Sequence, residues 1–191
     1  MIWWPSVVPT LQYGLITLRP SEEKDIENIY NACQDPLISH FTTVPANYTI
    51  EHAKAFVRER DPESLTERRE LRFVIDYGTG SDKEFAGVIS FHSLDFTNEV
   101  AEIGYWIAAP MRNKKIGATA SRILTNFGFE SMGWRRIEAL VDHDNIASQK
   151  LLSSIGFNHE GLMRAKVIRG NGDVIDMDLY SVLSSEWSGL N

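Results

Sequence analysis

Two short stretches hold residues whose types could do chemistry together. The first is Arg112-Asn113-Lys114-Lys115-Ile116-Gly117-Ala118, a basic turn followed by small residues. Amides before the first turn of a helix have no intrahelical partner, and a helix start carries about half a positive charge. A diphosphate would accept from those amides, with Arg112 and the lysines supplying full charges. Gly117 and Ala118 lack the bulk that would hold a ligand off the backbone. Taken alone, the segment reads as readily as a solvated basic turn. The second stretch is Asn145-Ile146-Ala147-Ser148. Asn145 is a natural helix cap, and Ser148 then falls in the first turn. Ordinary capping explains it by itself, while a hydroxyl there could also donate a proton to a departing thiolate.

Other candidates carry less. Glu102 stands amid Val100, Ile103, Tyr105 and Trp106. It is either a partly desolvated base or the partner of an arginine or of backbone amides. Cys33 falls on the apolar stripe of a helix with Ile26, Ile29 and Tyr30, the place of a core thiol rather than a nucleophile. Asp176 and Asp178 share one side of a strand near Asp173, but no His or Cys joins them at a metal-binding spacing, so we expect no metal. His143, between Asp142 and Asp144, reads as loop structure. Tyr180 is a core aromatic or part of a pocket wall.

These residues need elements to hold them. Leu15 to Arg19 alternates like a strand and stops at Pro20. Ser21, Glu22 and Glu23 should then open a helix that ends at Asp35-Pro36. Leu37 to Tyr48 reads as a connection, Thr49 as the cap of a second helix from Ile50 to about Glu59, and Asp61 to Arg69 as a solvated loop. Three strands follow as a meander: Leu71 to Tyr77, Phe85 to Leu94 and Val100 to Ala108. A helix runs from about Ile116 to Met132 with Gly133 as its C-terminal cap. Arg136 to Val141 is a strand, and a helix from Ile146 to Ile155 ends at Gly156. His159 to Ile168 and Val174 to Leu183 flank Arg169-Gly170-Asn171-Gly172-Asp173, a hairpin signal. The order β-α-α-β-β-β-α-β-α-β-β implies an α/β (α+β) fold. It has a mixed, mostly antiparallel sheet of about seven strands with helices on both faces.

The bulk numbers fit one domain. The chain has 191 residues, 43% apolar and 24% charged, with a formal net charge of −7. That balance argues against a general nucleic-acid binder and is compatible with a cationic acceptor. One cysteine allows no internal disulfide, so a reducing compartment, the cytoplasm, is expected. No apolar run reaches the roughly 18 residues of a membrane span. The opening MIWWPSVVP lacks the features of a secretion signal. We expect residues 1–13 to form an apolar arm, with Trp3 and Trp4 packed on their own domain or on a second copy in a homodimer. Residues 14–187 form the domain.

In their order and intervals, the two stretches and their neighbours resemble the GNAT superfamily of acyl-CoA N-acyltransferases, in particular its RimJ/RimL branch of ribosomal-protein N-terminal acetyltransferases. The resemblance rests on Leu18-Arg19-Pro20, Ala101-Glu102-Ile103-Gly104-Tyr105-Trp106 and Arg112 to Ala118. Asp144-Asn145-Ile146-Ala147-Ser148, Gly156-Phe157 and Glu160-Gly161 complete it. One departure is plain: Lys115 stands where the family's phosphate loop usually has its first glycine, a strained choice if that position needs a positive φ.

The resemblance implies acetyl-CoA as acyl donor and no metal. Backbone groups near Ile107 would pair with the pantetheine arm and polarise the thioester. Arg112, Lys115, Ile116, Gly117 and Ala118 would hold the diphosphate, and Asn145 would contact the cofactor. Ser148 would be the general acid, and Glu160 the base, with Glu102 as the second candidate. The acceptor implied is a primary amine, either a protein N-terminus or a small molecule such as an aminoglycoside, polyamine or metabolite. A non-catalytic CoA-sensing domain on the same fold is the competing reading.

Overall fold

The computed structural model describes residues 1–169 and 171–190. Its eight strands form a single sheet in the order β1-β2-β3-β4-β5-β6-β8-β7. These are β1 Leu11–Tyr13, β2 Ile16–Arg19, β3 Leu71–Tyr77, β4 Glu84–Asp95, β5 Val100–Ile107, β6 Arg136–Asp142, β7 Asn158–Ile168 and β8 Val174–Leu183. Every neighbouring pair is antiparallel except β5 and β6. The expected fold class holds, with one strand more than anticipated. Leu11–Tyr13 hairpins onto Ile16 to Leu18 through Gly14, whose φ of +58° suits a tight turn. Gly170, in the expected β7–β8 turn, lies outside the described residues.

Alternation along β5 decides what each face carries. Ala101 and Ile103 point into the larger core, joined by Phe73, Ile89 and Phe91 from β3 and β4. Helix α5 (Ile116–Phe127) buries Ile116, Ala120, Ile123, Leu124 and Phe127 there. Leu152 of α6 (Ile146–Ser154) joins the same core. On the opposite face, a second cluster gathers Ile26, Ile29, Cys33, Ile38, Tyr48, Ala53 and Val57 against Trp106. Helices α1 (Asp25–Ala32), α2 (Pro36–Phe41) and α3 (Ile50–Ala55) supply most of it.

Several local expectations are corrected. Ser21 does not cap α1; its hydroxyl donates to Asp61 at 2.5 Å, and Asp25 accepts from the Glu22 amide instead. Arg19 explains the closeness of β2 to α1, because its buried guanidinium is shared by Asp25 and Asp76 at 2.6 to 3.0 Å. Asp35 does not simply end a helix, since its carboxylate caps α2 by accepting from the Leu37 amide. The charged stretch after α3 is not a loop. It continues as a π-helical turn, Phe56–Arg60, and then as α4, Asp61–Thr66. There Asp61 is drawn inward by Arg72 of β3, and that arginine also holds Glu70. The helix expected to reach Met132 does so through a second π-helical turn, Gly128–Met132, and Gly133 ends it at φ +87°.

The N-terminal arm lies on its own domain. The Trp3 amide donates to the Met132 carbonyl at 2.9 Å, and its ring meets Phe127 edge-on. The Trp4 indole donates to the Leu65 carbonyl and packs against Phe96. Among the described residues, no helix is long and apolar enough to cross a membrane.

Candidate active site

The site originates in a disagreement between two strands. β5 and β6 pair only at Val100–Arg136, Ala101–Ile137 and Glu102–Glu138. Beyond Glu102 each strand stays paired to its other neighbour, as far as Ile107 with β4 and Asp142 with β8. The two therefore separate, and the gap between them forms part of a cleft of about 1570 Å³ that also runs past residues 36–47 and the β4 side chains Val88, Ser90 and His92. Gly104 to Ile107 line one wall and Ala139 to Asp142 the other. Backbone polar groups on such an unzipped edge need partners, and an extended ligand bearing amides can supply them.

At one end of the cleft stands the start of α5. No side chain caps this helix, and its first bond from Thr119 runs back to the Lys115 carbonyl. The amides of Ile116, Gly117 and Ala118 are thus left without intrahelical acceptors. The preceding turn is left-handed twice, at Asn113 (φ +63°) and Lys115 (φ +60°). Turns of this kind gather amides around an anion. Lys115 therefore does occupy the conformation that glycine would adopt without strain. Lys115, Ile116 and Gly117 line the cleft, while Ala118 stands just behind them. A Cβ on Gly117 would meet Leu151 of α6 at 2.9 Å, so this glycine also lets α5 approach α6 closely.

Arg112 is not free to serve the diphosphate alone. Its Nε donates to the Ile107 carbonyl at 3.0 Å, and an Nη lies 2.5 Å from the Asp35 carboxylate. It ties the turn before α5 to the end of β5 and to the start of α2. Lys114 turns aside, with its ammonium near Met111 sulfur and the Tyr77 ring.

Midway along the cleft, Asn145 accepts from the Ser148 amide at 3.1 Å and so caps α6. This presents Ser148 to the opposite wall, where its Oγ lies 2.9 Å from the Tyr105 hydroxyl. Desolvation pushes the Tyr105 phenol up to about 12, with the serine bond pulling the other way. The phenol thus keeps its proton at neutral pH and can donate it. Sequence reasoning missed Tyr105. Its signals were its place in the Ala101 to Trp106 stretch and its position two residues before the strand end implicated in thioester contact.

The two candidate carboxylates lie in different surroundings. Glu160 does not line the cleft. Arg136 grips both its oxygens at 2.7 and 2.5 Å, and the Ser181 hydroxyl donates to one of them at 2.6 Å. The Arg136 bond above all, then Ser181, holds its carboxyl down at about 2. A carboxylate so satisfied is a weak proton acceptor near pH 7, so its position does not suit the base role the resemblance implied. Glu102 does line the cleft, on the face that carries Trp106, with His92 of β4 as its cross-strand neighbour.

The remaining candidates are structural. Cys33 is buried, and desolvation pushes its thiol up to about 12. Tyr180 belongs to the core and stacks obliquely on His159. Asp178 is buried and accepts from His143 and His159, while Asp176 accepts from the Ala165 amide. Among the described residues, no cluster of His, Cys, Asp or Glu is arranged to hold a metal.

Comparison with known proteins adds an independent line. The family model described as an acetyltransferase (GNAT) domain matches residues 16–158. An N-acetyltransferase called p20 from Bacillus licheniformis, itself uncharacterized, is 31% identical, covering 94% of this chain and 99% of that protein. A ribosomal-protein-serine acetyltransferase from Escherichia coli is 32% identical over a shorter stretch, 52% of this chain and 55% of its own. Among solved structures, the Microcin C7 self-immunity acetyltransferase MccE, determined with acetyl-CoA and AMP, superposes with a TM-score of 0.79. It is 27% identical, with 90% and 93% of the two chains covered.

Proposed function

The chain belongs to the GNAT acetyltransferase family and is an acetyl-CoA-dependent N-acetyltransferase, and from that premise we propose that its acceptor is a protein N-terminus or a similarly weakly basic amine. The observation that carries the site is the cleft where β5 and β6 part, with uncapped amides at its mouth and paired hydroxyls at its middle. The CoA diphosphate would lie on the amides of Ile116, Gly117 and Ala118, with Lys115 adding charge. The pantetheine arm would pair with the open edge of β5 near Ile107, and Asn145 would flank it. The thioester would then face Tyr105 and Ser148. As the amine attacks and the C–S bond breaks, Ser148 gives a proton to the departing sulfur, and Tyr105 steadies and replenishes that proton. No covalent enzyme intermediate is needed, because the Cys33 thiol is buried and protonated.

The preference for a weakly basic acceptor follows from proton cost. A peptide α-amine, with a reference pKa near 8, costs about 1.4 kcal/mol to deprotonate at pH 7. A lysine side chain near 10.4 costs about 4.6 kcal/mol by the same arithmetic. A weak or water-mediated base suffices for the first and would be strained by the second. The likeness to a ribosomal-protein acetyltransferase supports a peptide acceptor, and the likeness to MccE supports testing nucleotide-linked amines beside it. We assign the enzyme to the cytoplasm, in keeping with its one unpaired cysteine. The test is a thiol-release assay with acetyl-CoA over three panels: peptides with free N-termini, the same peptides blocked at the N-terminus but bearing lysine, and small amines. We expect turnover on the first panel; turnover only on lysine or polyamines would overturn the acceptor assignment.

A further inference from the structure

On the proposed reading of this cleft as the site of acetyl transfer to an amine, one group remains to be found: the acceptor of the amine's proton. Glu160 is tied up by Arg136 and lies outside the cleft. On the face from which the acceptor arrives, the wall carries Glu102 and, directly across from it on β4, His92.

Three features aim that histidine. First, the β4–β5 register slips between His92 and Asp95, and Ser93 takes a left-handed φ of +48°. A bulge of this kind costs pairing and re-aims a side chain, and such bulges concentrate beside active sites. Second, the ring leans across Gly104. A Cβ on that residue would come within 2.6 Å of His92 Nε2, although the Gly104 backbone itself needs no glycine. Gly104 therefore clears the space the imidazole fills. Third, the other ring nitrogen, Nδ1, lies 3.1 Å from Ser93 Oγ and 4.0 Å from a Glu102 oxygen. A proton held at Nδ1 leaves the Nε2 lone pair free, on the cleft side.

We propose that His92 is the base that takes the amine proton, with the Ser93 hydroxyl positioning the ring at 3.1 Å and the Glu102 carboxylate facing it at 4.0 Å from the neighbouring strand. The bookkeeping is simple. The C–N bond forms and the C–S bond breaks. One amine proton passes to His92 Nε2 and from there to solvent, and the sulfur takes its proton through Ser148. Base and acid then work from opposite faces of β5, since residues 102 and 104 point one way along the strand and Tyr105 the other. An imidazole is the side chain whose ordinary pKa, near 6.5, suits proton traffic at neutral pH. Other titratable and charged groups around this face are His40 of α2, His52 of α3, Glu70 and Arg72 from the β3 side, and Glu138 paired with Arg136 on β6.

The experiment compares wild type with His92→Gln and Glu102→Gln, using a peptide with a free N-terminus. It reads kcat/KM from pH 5.5 to 9, with acetyl-CoA affinity measured separately by calorimetry. His92→Gln should lower kcat by about 100-fold, the usual scale for losing a general base, with acetyl-CoA affinity unchanged. Its profile should lose the acid limb and keep the limb near 8 that belongs to the amine. Glu102→Gln should lose less, with the acid limb retained. His92→Asn and Gly104→Ala, which removes the ring from its place, give the same readout should the first variant misfold. A His92→Gln enzyme within about 3-fold of wild type, with its acid limb intact, overturns the proposal and leaves the amine-acetylation reading standing. A wild-type enzyme that releases no CoA with any amine fails that reading, and the base assignment falls with it.

Discussion

A serine hydroxyl is by itself a poor acid, and what distinguishes Ser148 is its neighbour. The Tyr105 phenol, kept protonated by desolvation, lies 2.9 Å away. Ser148→Ala should lower kcat by about 10- to 100-fold, toward the lower range for acid–base groups, and leave acetyl-CoA affinity within about 2-fold. Tyr105→Phe should cost less, about 10-fold by the same standard. The double variant should cost little more than Ser148→Ala alone, because one proton path is being cut twice. Additive losses would show that the two hydroxyls act separately. Glu160 tests the opposite case. Its carboxyl is depressed in the folded state, so its stabilising effect is fully present above the ordinary value of 4.5 and is lost as pH falls toward about 2. Glu160→Gln should therefore retain wild-type turnover at pH 7 within about 2-fold while losing about 0.5 to 1 kcal/mol of stability, the scale of a solvent-screened ion pair. Urea titrations of the two proteins should converge near pH 2. A 100-fold loss of turnover would return the base role to Glu160.

At the scale of elements, the proposed phosphate loop is the part most open to test. Lys115 pays backbone strain at φ +60° to place an ammonium at the start of α5. Lys115→Gly should raise stability by roughly 0.5 to 1 kcal/mol, net of glycine's own entropy. Lys115→Asn, which tolerates the left-handed region, removes the charge with less change in strain. Both should weaken acetyl-CoA binding about 2- to 5-fold at low salt, with the difference fading as salt screens the charge. Affinity that rises in Lys115→Gly would mean that strain, not charge, governs the loop. This region also shows where sequence reasoning succeeds. The strained turn, the Asn145 cap, the glycine stops at 133 and 156, and the β3–β4–β5 meander all depend on residues a few positions apart, so they were legible. The Tyr105–Ser148 contact was not, because it exists only where β5 and β6 part. Helices α2 and α4 were hidden for a related reason: each is only six residues long, and they persist through the Asp35 cap and the Arg72–Asp61 pair. The lean of His92 over Gly104 depends on a bulge that no local pattern announces.

For the molecule as a whole, the open question is whether the N-terminal arm belongs to one chain or joins two. An aromatic arm could seek a second copy, yet here its bonds return to its own domain. The Trp3 amide reaches Met132, the Trp4 indole reaches Leu65, and the rings close over Phe127 and Phe96. Phe96 in turn packs on Trp134, one of the largest fully buried side chains. The arm therefore covers the end of the core where β4 turns into β5 and α5 runs out, some distance along the sheet from the cleft mouth. Of the arm's two tryptophans, only Trp3, 51% exposed, presents a largely open surface to another molecule. Deleting residues 1–9 uncovers Phe96 and Phe127 and removes both indole contacts. Partial burial of two tryptophans is worth about 2 to 3 kcal/mol. For a chain of this length that amounts to roughly 5 to 10 °C in melting temperature. The deletion should lower Tm by that amount and leave the sedimentation coefficient of the folded protein that of the same assembly as wild type, with acetyl-CoA affinity unchanged. A truncated protein that melts like wild type but sediments as a smaller species would assign the arm to a dimer interface instead.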